Sequence, residues 1–186
     1  MTLLIIGIVL WVLSHTLKRI APGLRANLGE ERGKGLVAIM ALAGIVLMVV
    51  GYRGMYNIPV YAPLPGMGHL NNLLMLISLF FFAMSGMKPG VTNTIVRHNM
   101  LTGLLIWALA HLLVNGDLAS IVLFGAMAVY ALASMLLISR AVPWDRPARG
   151  PIMNDVKGVV GAVVVYAVIS GIHIWLGYNP FLGTYG

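Results

Sequence analysis

The sequence contains no cysteine and only five acidic residues among its 186 residues. The absence of cysteine excludes disulfides, thiolate nucleophiles and thiolate metal ligands together. The acids all fall in predicted loops or at predicted helix ends, which disfavours hydrolases with paired carboxylates, carriers with a buried acid and di-iron sites. No Ser-His-Asp set and no nucleophile elbow is visible either. The acids are Glu30, Glu31, Asp117, Asp145 and Asp155.

Charged residues of either sign make up only 9% of the chain, whereas 60% of the residues are hydrophobic. Soluble domains are about a quarter charged, so this composition indicates an integral membrane protein. Each crossing helix uses about 20 residues, and the length therefore predicts one domain, residues 1–186, of a few packed helices. The net charge of +7 lies in short loops between apolar runs, which favours membrane orientation and excludes nucleic acid as the partner.

Six apolar segments predict an all-α membrane bundle of about six transmembrane helices. Eleven of the twelve Lys and Arg residues follow the first, third or fifth segment, and only Arg53 lies on the opposite side. Because positive loops stay cytoplasmic, we expect both termini on the non-cytoplasmic side of a bacterial inner membrane. The segments are 2–17, 36–52, 69–87, 99–115, 118–139 and 158–177.

Small residues recur in the second and sixth segments, where they predict faces that pack closely on neighbouring helices. The connections 53–68 and 140–158 are rich in proline and glycine and are predicted to be irregular surface loops. We assign no chemistry to the second of these loops. The small residues are Gly35, Ala38, Ala41, Gly44, Gly158, Gly161, Ala162 and Ala167.

All five histidines fall within or at the edge of predicted helices, and ionisable residues in membrane segments are rare and usually functional. A single histidine in such a segment is about equally often a functional residue or one that only forms a hydrogen bond between helices. Five histidines in an acid-poor chain favour a shared site. Imidazoles in an apolar bundle suit haem best. The topology places two towards the cytoplasm, His15 and His98, and three towards the outside, His69, His111 and His173.

Depth and direction along one helix constrain which histidines share a metal. His98 and His111 differ by 13 positions, which corresponds to a rotation of about 140° and a rise of about 19 Å. They cannot bind one metal together, and each needs partners elsewhere. A tilted haem, however, allows two axial ligands at different depths.

Three stretches resemble NnrU-family membrane proteins and the related ζ-carotene isomerases of plants and cyanobacteria. They are "RHNMLTGLLIWALAHLLVNGD", "LWVLSHTLKRIAPGLRANLGEERGKGLVAIMALAG" and "GMGHLNNLLMLISLFFF", and the likeness covers most of the chain. The resemblance implies a haem b with His15 and His111 as its axial ligands, and it places His98 in an Arg-His motif. Asn99 replaces the usual proline and Ala108 stands where the isomerase has a cysteine, so a ligand switch to sulfur is impossible here.

Other residues are expected around such a haem. Trp107, one turn before His111, would form an aromatic wall, and His98 or His69 would lie in an outer layer around the iron. The propionates need cations, and the candidates are Arg19 and Arg97 on the inner side and Arg53 on the outer side.

Four functions remain open. One is a redox-gated, isomerase-like or oxidoreductase reaction on an apolar or gaseous small molecule, and the NnrU resemblance associates it with denitrification and nitric oxide metabolism. Another is electron transfer with a quinone or a partner enzyme. The start Arg-His-x-Met-x-x-Gly at residue 97 also resembles membrane methyltransferases that hold S-adenosylmethionine. The fourth is an accessory protein whose histidines only join helices.

Overall fold

The computed structural model describes residues 1–182, apart from the side chain of Arg25. Within this part of the chain the regular elements are all helical, with one isolated β-bridge between Pro59 and Asp117. The helices are α1 Thr2–Ile20, α2 Pro22–Asn27, α3 Glu30–Arg53, α4 Met67–Gly86, α5 Asn99–Val114, α6 Leu118–Ala141 and α7 Ile152–Trp175. Five of them, α1, α3, α4, α6 and α7, are long and apolar enough to cross a membrane, and α5 is a shorter apolar helix. The predicted all-α membrane fold is confirmed.

Each of the six predicted segments is a helix, but two helices begin earlier than hydropathy indicates. α3 begins at Glu30 and α7 begins at Ile152, about one and a half turns before the apolar runs. Their polar first turns contain Glu30, Glu31 and Asp155, and acids near a helix N-terminus are favourable because of the helix dipole. The short helix α2, which starts at a proline, lies outside every predicted segment. Hydropathy detects the part of a helix that suits lipid and misses its polar ends.

The chain forms two compact units, and the first contains residues Met1–Pro59 and Asp117–Ala126. In unit one, α1 packs on α3 through glycines. A Cβ added at Gly7 would lie 2.6 Å from the Met48 amide nitrogen, and one at Gly44 would lie 2.9 Å from Trp11 Cβ. The predicted packing role is therefore confirmed for Gly44. It is wrong for Gly35, beside which a Cβ would meet nothing within 4 Å.

The second unit contains residues Val60–Gly116 and Met127–Gly186. Here α4 packs on both α5 and α7. Ser78 Oγ on α4 donates to the Gly103 carbonyl on α5 at 2.7 Å, and a Cβ at Gly158 on α7 would lie 2.7 Å from Met84 Sδ. The predicted packing role is confirmed for Gly158 and for Ala162, which is 3% exposed. Gly161 and Ala167 do not share it, since Gly161 borders open space and Ala167 is exposed.

The connection 53–68 is irregular, as predicted, and backbone hydrogen bonds tie it down. In unit one, the Leu118 amide donates to the Ile58 carbonyl at 2.9 Å. In unit two, the Val60 and Tyr61 amides donate to the Gly116 carbonyl at 2.8 and 3.1 Å. A Cβ at Gly116 would collide with the Tyr61 carbonyl, so this close approach requires glycine.

The connection 140–158 is a surface loop only in part, because α7 starts within it. Asp155 is buried, with 7% of its surface exposed. Its Oδ2 accepts from the Val91 amide at 2.7 Å and its Oδ1 from the Thr92 amide at 2.9 Å. The acid thus joins the start of α7 to the segment after α4, and the prediction of a solvent-exposed loop is wrong for this residue.

Candidate functional site

The five histidines lie within helices or at a helix edge, as the sequence predicts. His15 belongs to α1 in unit one, whereas His69, His98, His111 and His173 belong to unit two. His69 lies near the start of α4, His98 directly precedes α5, and His173 lies near the end of α7. The candidate site therefore consists of separate imidazole environments, one in unit one and four in unit two.

His15 is held by the turn of α1 that precedes it. Its Nδ1 donates to the Trp11 carbonyl at 2.8 Å, and Ser14 Oγ lies 2.9 Å from the same nitrogen. The Trp11 and His15 rings have centroids 4.1 Å apart and are tilted by 35°. Because a carbonyl can only accept a hydrogen bond, Nδ1 carries the proton and Nε2 carries the lone pair. This is the tautomer in which a neutral imidazole can ligate a metal through Nε2.

His111 on α5 has the same arrangement. Its Nδ1 donates to the Trp107 carbonyl at 2.8 Å, and its ring lies 4.9 Å from the Trp107 ring with a tilt of 50°. His111 is half-buried, whereas His15 is exposed. Trp107 thus borders His111 as an aromatic wall, in the position that its spacing predicts.

The likeness of these two surroundings comes from a recurring pattern that the sequence analysis missed. Residues 7–15 and 103–111 both read G-x-x-x-W-x-L-x-H. In each helix the glycine faces a neighbouring helix: Gly7 meets α3, and a Cβ at Gly103 would lie 3.0 Å from the Ser78 carbonyl on α4. Each histidine then follows two turns after the close contact. A search for short repeats at helical spacing would have found this signal.

Arg97 and His98, both predicted near a cofactor, contact the end of α6. Arg97 Nη2 donates to the Val142 carbonyl at 2.5 Å, and His98 Nε2 lies 2.9 Å from Ser139 Oγ. These contacts fix the segment before α5 to the C-terminal end of α6. The structure thereby gives both residues a structural role at the opposite end of α5 from His111.

The remaining predicted residues lie at the surface of their units. Arg19 is exposed in the last turn of α1, and His69 is exposed near the start of α4. Arg53 is exposed in the last turn of α3. In residues 1–182 there is no group of three or more His, Cys, Asp and Glu side chains that could hold a metal ion.

His173 is the functional candidate that sequence reasoning left without a role. Its Nδ1 donates to the Ile169 carbonyl at 2.8 Å, so it has the same tautomer as His15 and His111. It lies on α7, which packs on α4, as α5 does too.

A family model described as "NnrU protein" matches residues 3–180 of the chain. No curated protein and no solved structure matches it.

Proposed function

Since the chain belongs to the NnrU family, we propose that it is a haem b-binding integral membrane protein. His15 and His111 are the axial ligands in this proposal, as the resemblance to ζ-carotene isomerases implies. Each has its imidazole in a helix that is apolar apart from a few residues, where an ionisable group needs a functional or structural reason.

One observation supports the proposal most: both histidines present the same preorganised imidazole. A metal-ligating histidine usually donates its other ring N–H to a carbonyl or carboxylate, which fixes the tautomer and makes the ligating nitrogen more basic. His15 and His111 both donate from Nδ1 to a carbonyl four residues earlier, at 2.8 Å. The donor set thus fits haem iron, for which imidazole is a common axial ligand.

The neighbouring residues support this chemistry in distinct ways. The indole rings of Trp11 and Trp107 pack against the two imidazoles and restrict their rotation. Ser14, which is 3% exposed, adds a second polar neighbour at His15 Nδ1. Ala108 is fully buried one turn before His111, and it offers no competing sulfur ligand.

The cofactor supplies one-electron chemistry and a centre for small gaseous ligands. The chain supplies the ligating nitrogens, the orientation of both rings and an apolar surrounding that excludes water. Exposed Arg19 is the candidate cation for a propionate, whereas Arg97 already donates to the Val142 carbonyl. A ligand that enters from the bilayer, such as nitric oxide or an apolar substrate, fits this setting.

The first test is the optical spectrum of protein purified from haem-replete cells. We expect a Soret band in the native protein and its loss or displacement in His15→Ala and in His111→Ala. His173→Ala is the matched control, because its Nδ1 makes the same hydrogen bond to a carbonyl four residues earlier and it is not a proposed ligand. The haem-to-protein ratio then shows whether the two histidines serve one iron or two.

The contradicting result is equally clear. Colourless protein with native helix content, or an unchanged spectrum in both substituted proteins, would refute the ligand assignment. Carbon monoxide then separates two roles of a haem that is present: a ferrous centre that binds it is open to ligand chemistry, while one that refuses it is a six-coordinate electron carrier.

A further inference from the structure

The start of α5 is a helix N-terminus without a side-chain cap. The first amides of an α-helix have no partner within the helix, and in α5 these are the amides of residues 99–101, since the Thr102 amide donates to the His98 carbonyl at 2.8 Å. His98 occupies the capping position, but its side chain makes no capping hydrogen bond among the described residues. Its Nε2 lies instead 2.9 Å from Ser139 Oγ on α6. Three adjacent N–H groups therefore point out of the end of α5.

The length of α5 makes these N–H groups unfavourable in a membrane. Its 16 residues span about 24 Å, whereas the hydrocarbon core of a bilayer is about 30 Å thick. The two ends of α5 therefore cannot both reach the headgroup layer of a bilayer of ordinary thickness. Because backbone N–H groups at hydrocarbon depth need an acceptor, a polar group that reaches the start of α5 from the lipid would stabilise it.

Asn99 provides a second, independent indication of a ligand at this end. It is 7% exposed, and its Oδ1 is buried without a hydrogen-bond partner in the part of the chain that the structure describes. Asn99 is the first residue of α5, and helix side chains lean towards the N-terminus, so its amide group lies at the level of the uncapped N–H groups. A buried acceptor without a partner is unfavourable. A ligand hydroxyl that donates to Oδ1 would satisfy it.

Arg97 places a positive charge next to the same helix start. A guanidinium has five N–H donors, of which one bonds to the Val142 carbonyl at 2.5 Å. This bond holds Arg97 between the start of α5 and the end of α6. No carboxylate of residues 1–182 forms an ion pair with Arg97. A cation and the positive end of a helix dipole both attract an anion, and the N–H groups of both suit phosphate oxygens.

Apolar side chains beside the polar groups indicate a lipid and not a soluble phosphate. Ile95 and Met100, which flank residues 97–99 in sequence, are both exposed. Met100 Sδ also lies 3.9 Å from Ser85 Oγ on α4, so the exposed apolar surface extends towards the end of α4. The preference for cations on the cytoplasmic side explains Arg97 by itself, but it explains neither the uncapped amides nor the buried, unpartnered Asn99.

We propose that the start of α5 binds an anionic phospholipid whose headgroup carries a free hydroxyl, as in phosphatidylglycerol. The phosphate would accept from the amides of residues 99–101 and from Arg97. The headgroup hydroxyl would donate to Asn99 Oδ1, and the acyl chains would lie against Ile95 and Met100. The site needs no haem and uses neither proposed iron ligand, so it goes beyond the haem proposal.

The test is native mass spectrometry of the purified protein in detergent, titrated with phosphatidylglycerol, phosphatidylethanol or phosphatidylcholine of equal chain length. Phosphatidylethanol is the matched lipid, because it has the same charge as phosphatidylglycerol and lacks the headgroup hydroxyl. We expect one phosphatidylglycerol to bind per chain, about ten-fold more tightly than phosphatidylethanol, since one hydrogen bond to a buried acceptor distinguishes them. Phosphatidylcholine, which has no net charge, should bind more weakly than both.

Substitutions separate the two recognition elements. Arg97→Gln should weaken binding of phosphatidylglycerol about ten-fold, since it removes a charge-assisted hydrogen bond, whereas Arg97→Lys keeps the charge and should weaken it less. Arg149→Gln is the matched control, because it changes the net charge equally at an exposed position before α7, and it should bind as the native protein does. Asn99→Leu should bind phosphatidylglycerol and phosphatidylethanol equally. Circular dichroism shows which variants keep the native helix content, and any one of them that does so tests its own element.

Several outcomes would overturn the lipid site. Equal affinity for phosphatidylglycerol and phosphatidylcholine shows that no anion site exists. Equal weakening by Arg97→Gln and Arg149→Gln shows attraction by surface charge alone. A preference for phosphatidylglycerol over phosphatidylethanol that persists in Asn99→Leu shows that Asn99 does not contact the headgroup. Displacement by an equal concentration of glycerol 1-phosphate shows that the ligand is a soluble phosphate ester. None of these readouts involves haem absorbance, so the two proposals can fail independently.

Discussion

Replacing Gly44 by alanine tests how closely α1 and α3 pack in unit one. A methyl group at this position would lie 2.9 Å from Trp11 Cβ, 2.9 Å from the Trp11 nitrogen and 3.0 Å from the Gly7 carbonyl oxygen. Two of these three atoms belong to the backbone, so no side-chain rotation relieves the contact. The two helices must separate.

The expected loss of stability follows from these distances. Carbon atoms in favourable contact lie about 3.5–4.0 Å apart, so the helices must move apart locally by about 0.6–1 Å. Such overpacking costs about 1–3 kcal/mol. Alanine is intrinsically favoured over glycine in a helix by about 1 kcal/mol, which offsets part of that cost.

Gly35→Ala on the same helix is the control for the intrinsic preference of helices for alanine over glycine. A Cβ at Gly35 meets nothing within 4 Å, so this variant should gain up to about 1 kcal/mol. We expect the free energy of unfolding of Gly44→Ala to be lower than that of Gly35→Ala by about 1–3 kcal/mol. Equilibrium unfolding in detergent, followed by circular dichroism, measures both. Equal free energies for the two variants would refute the close packing of α1 on α3.

Two further substitutions test polar contacts away from the histidines. Asp155→Ala leaves the Val91 and Thr92 amides without their acceptor and should lower the free energy of unfolding by about 1–3 kcal/mol. The control Asp145→Ala, in the exposed loop, should change this free energy little. Similar losses in both variants would contradict the role of Asp155. Ser120→Ala removes a buried hydroxyl that lies 2.7 Å from the Tyr52 hydroxyl and donates to Asp117. It should cost about 1–3 kcal/mol in the same unfolding assay, and no change would show that these two contacts add nothing to stability.

The membrane helices could be predicted from sequence because their long apolar runs have one physical explanation. The polar ends of these helices could not be predicted, because the part of a helix that extends beyond the lipid is not apolar and hydropathy does not detect it. The starts of α3 at Glu30 and of α7 at Ile152 show this limit. Asp155 was assigned to a loop for the same reason.

Packing partners were predicted only in part. Gly44 and Gly35 look alike in sequence, but one meets Trp11 and the other meets nothing. A helix that is apolar on all sides carries little information about which face meets protein and which meets lipid. The register of neighbouring helices decides this.

At the candidate site, too, the sequence predicts the position of a residue along the chain but not its packing partners. Each histidine lies within a helix or at a helix edge, as predicted, because position along the chain suffices for that. The burial of Asn71 depends on how α4 packs on α5 and α7, so no motif indicates it. The assignment of His15 and His111 as haem ligands stays a prediction until a spectrum tests it.

The tilted contact of an indole with each of two imidazoles gives the protein an intrinsic optical reporter. Tryptophan emission is quenched by a nearby protonated imidazole and by energy transfer to a porphyrin, and Trp11 and Trp107 lie 4.1 and 4.9 Å from the rings of His15 and His111. Trp144 lies under Arg146, and Trp175 is 83% exposed, so replacing these two by phenylalanine would leave one fluorophore beside each histidine. The emission of such a protein would then report the state of both imidazoles without any attached dye.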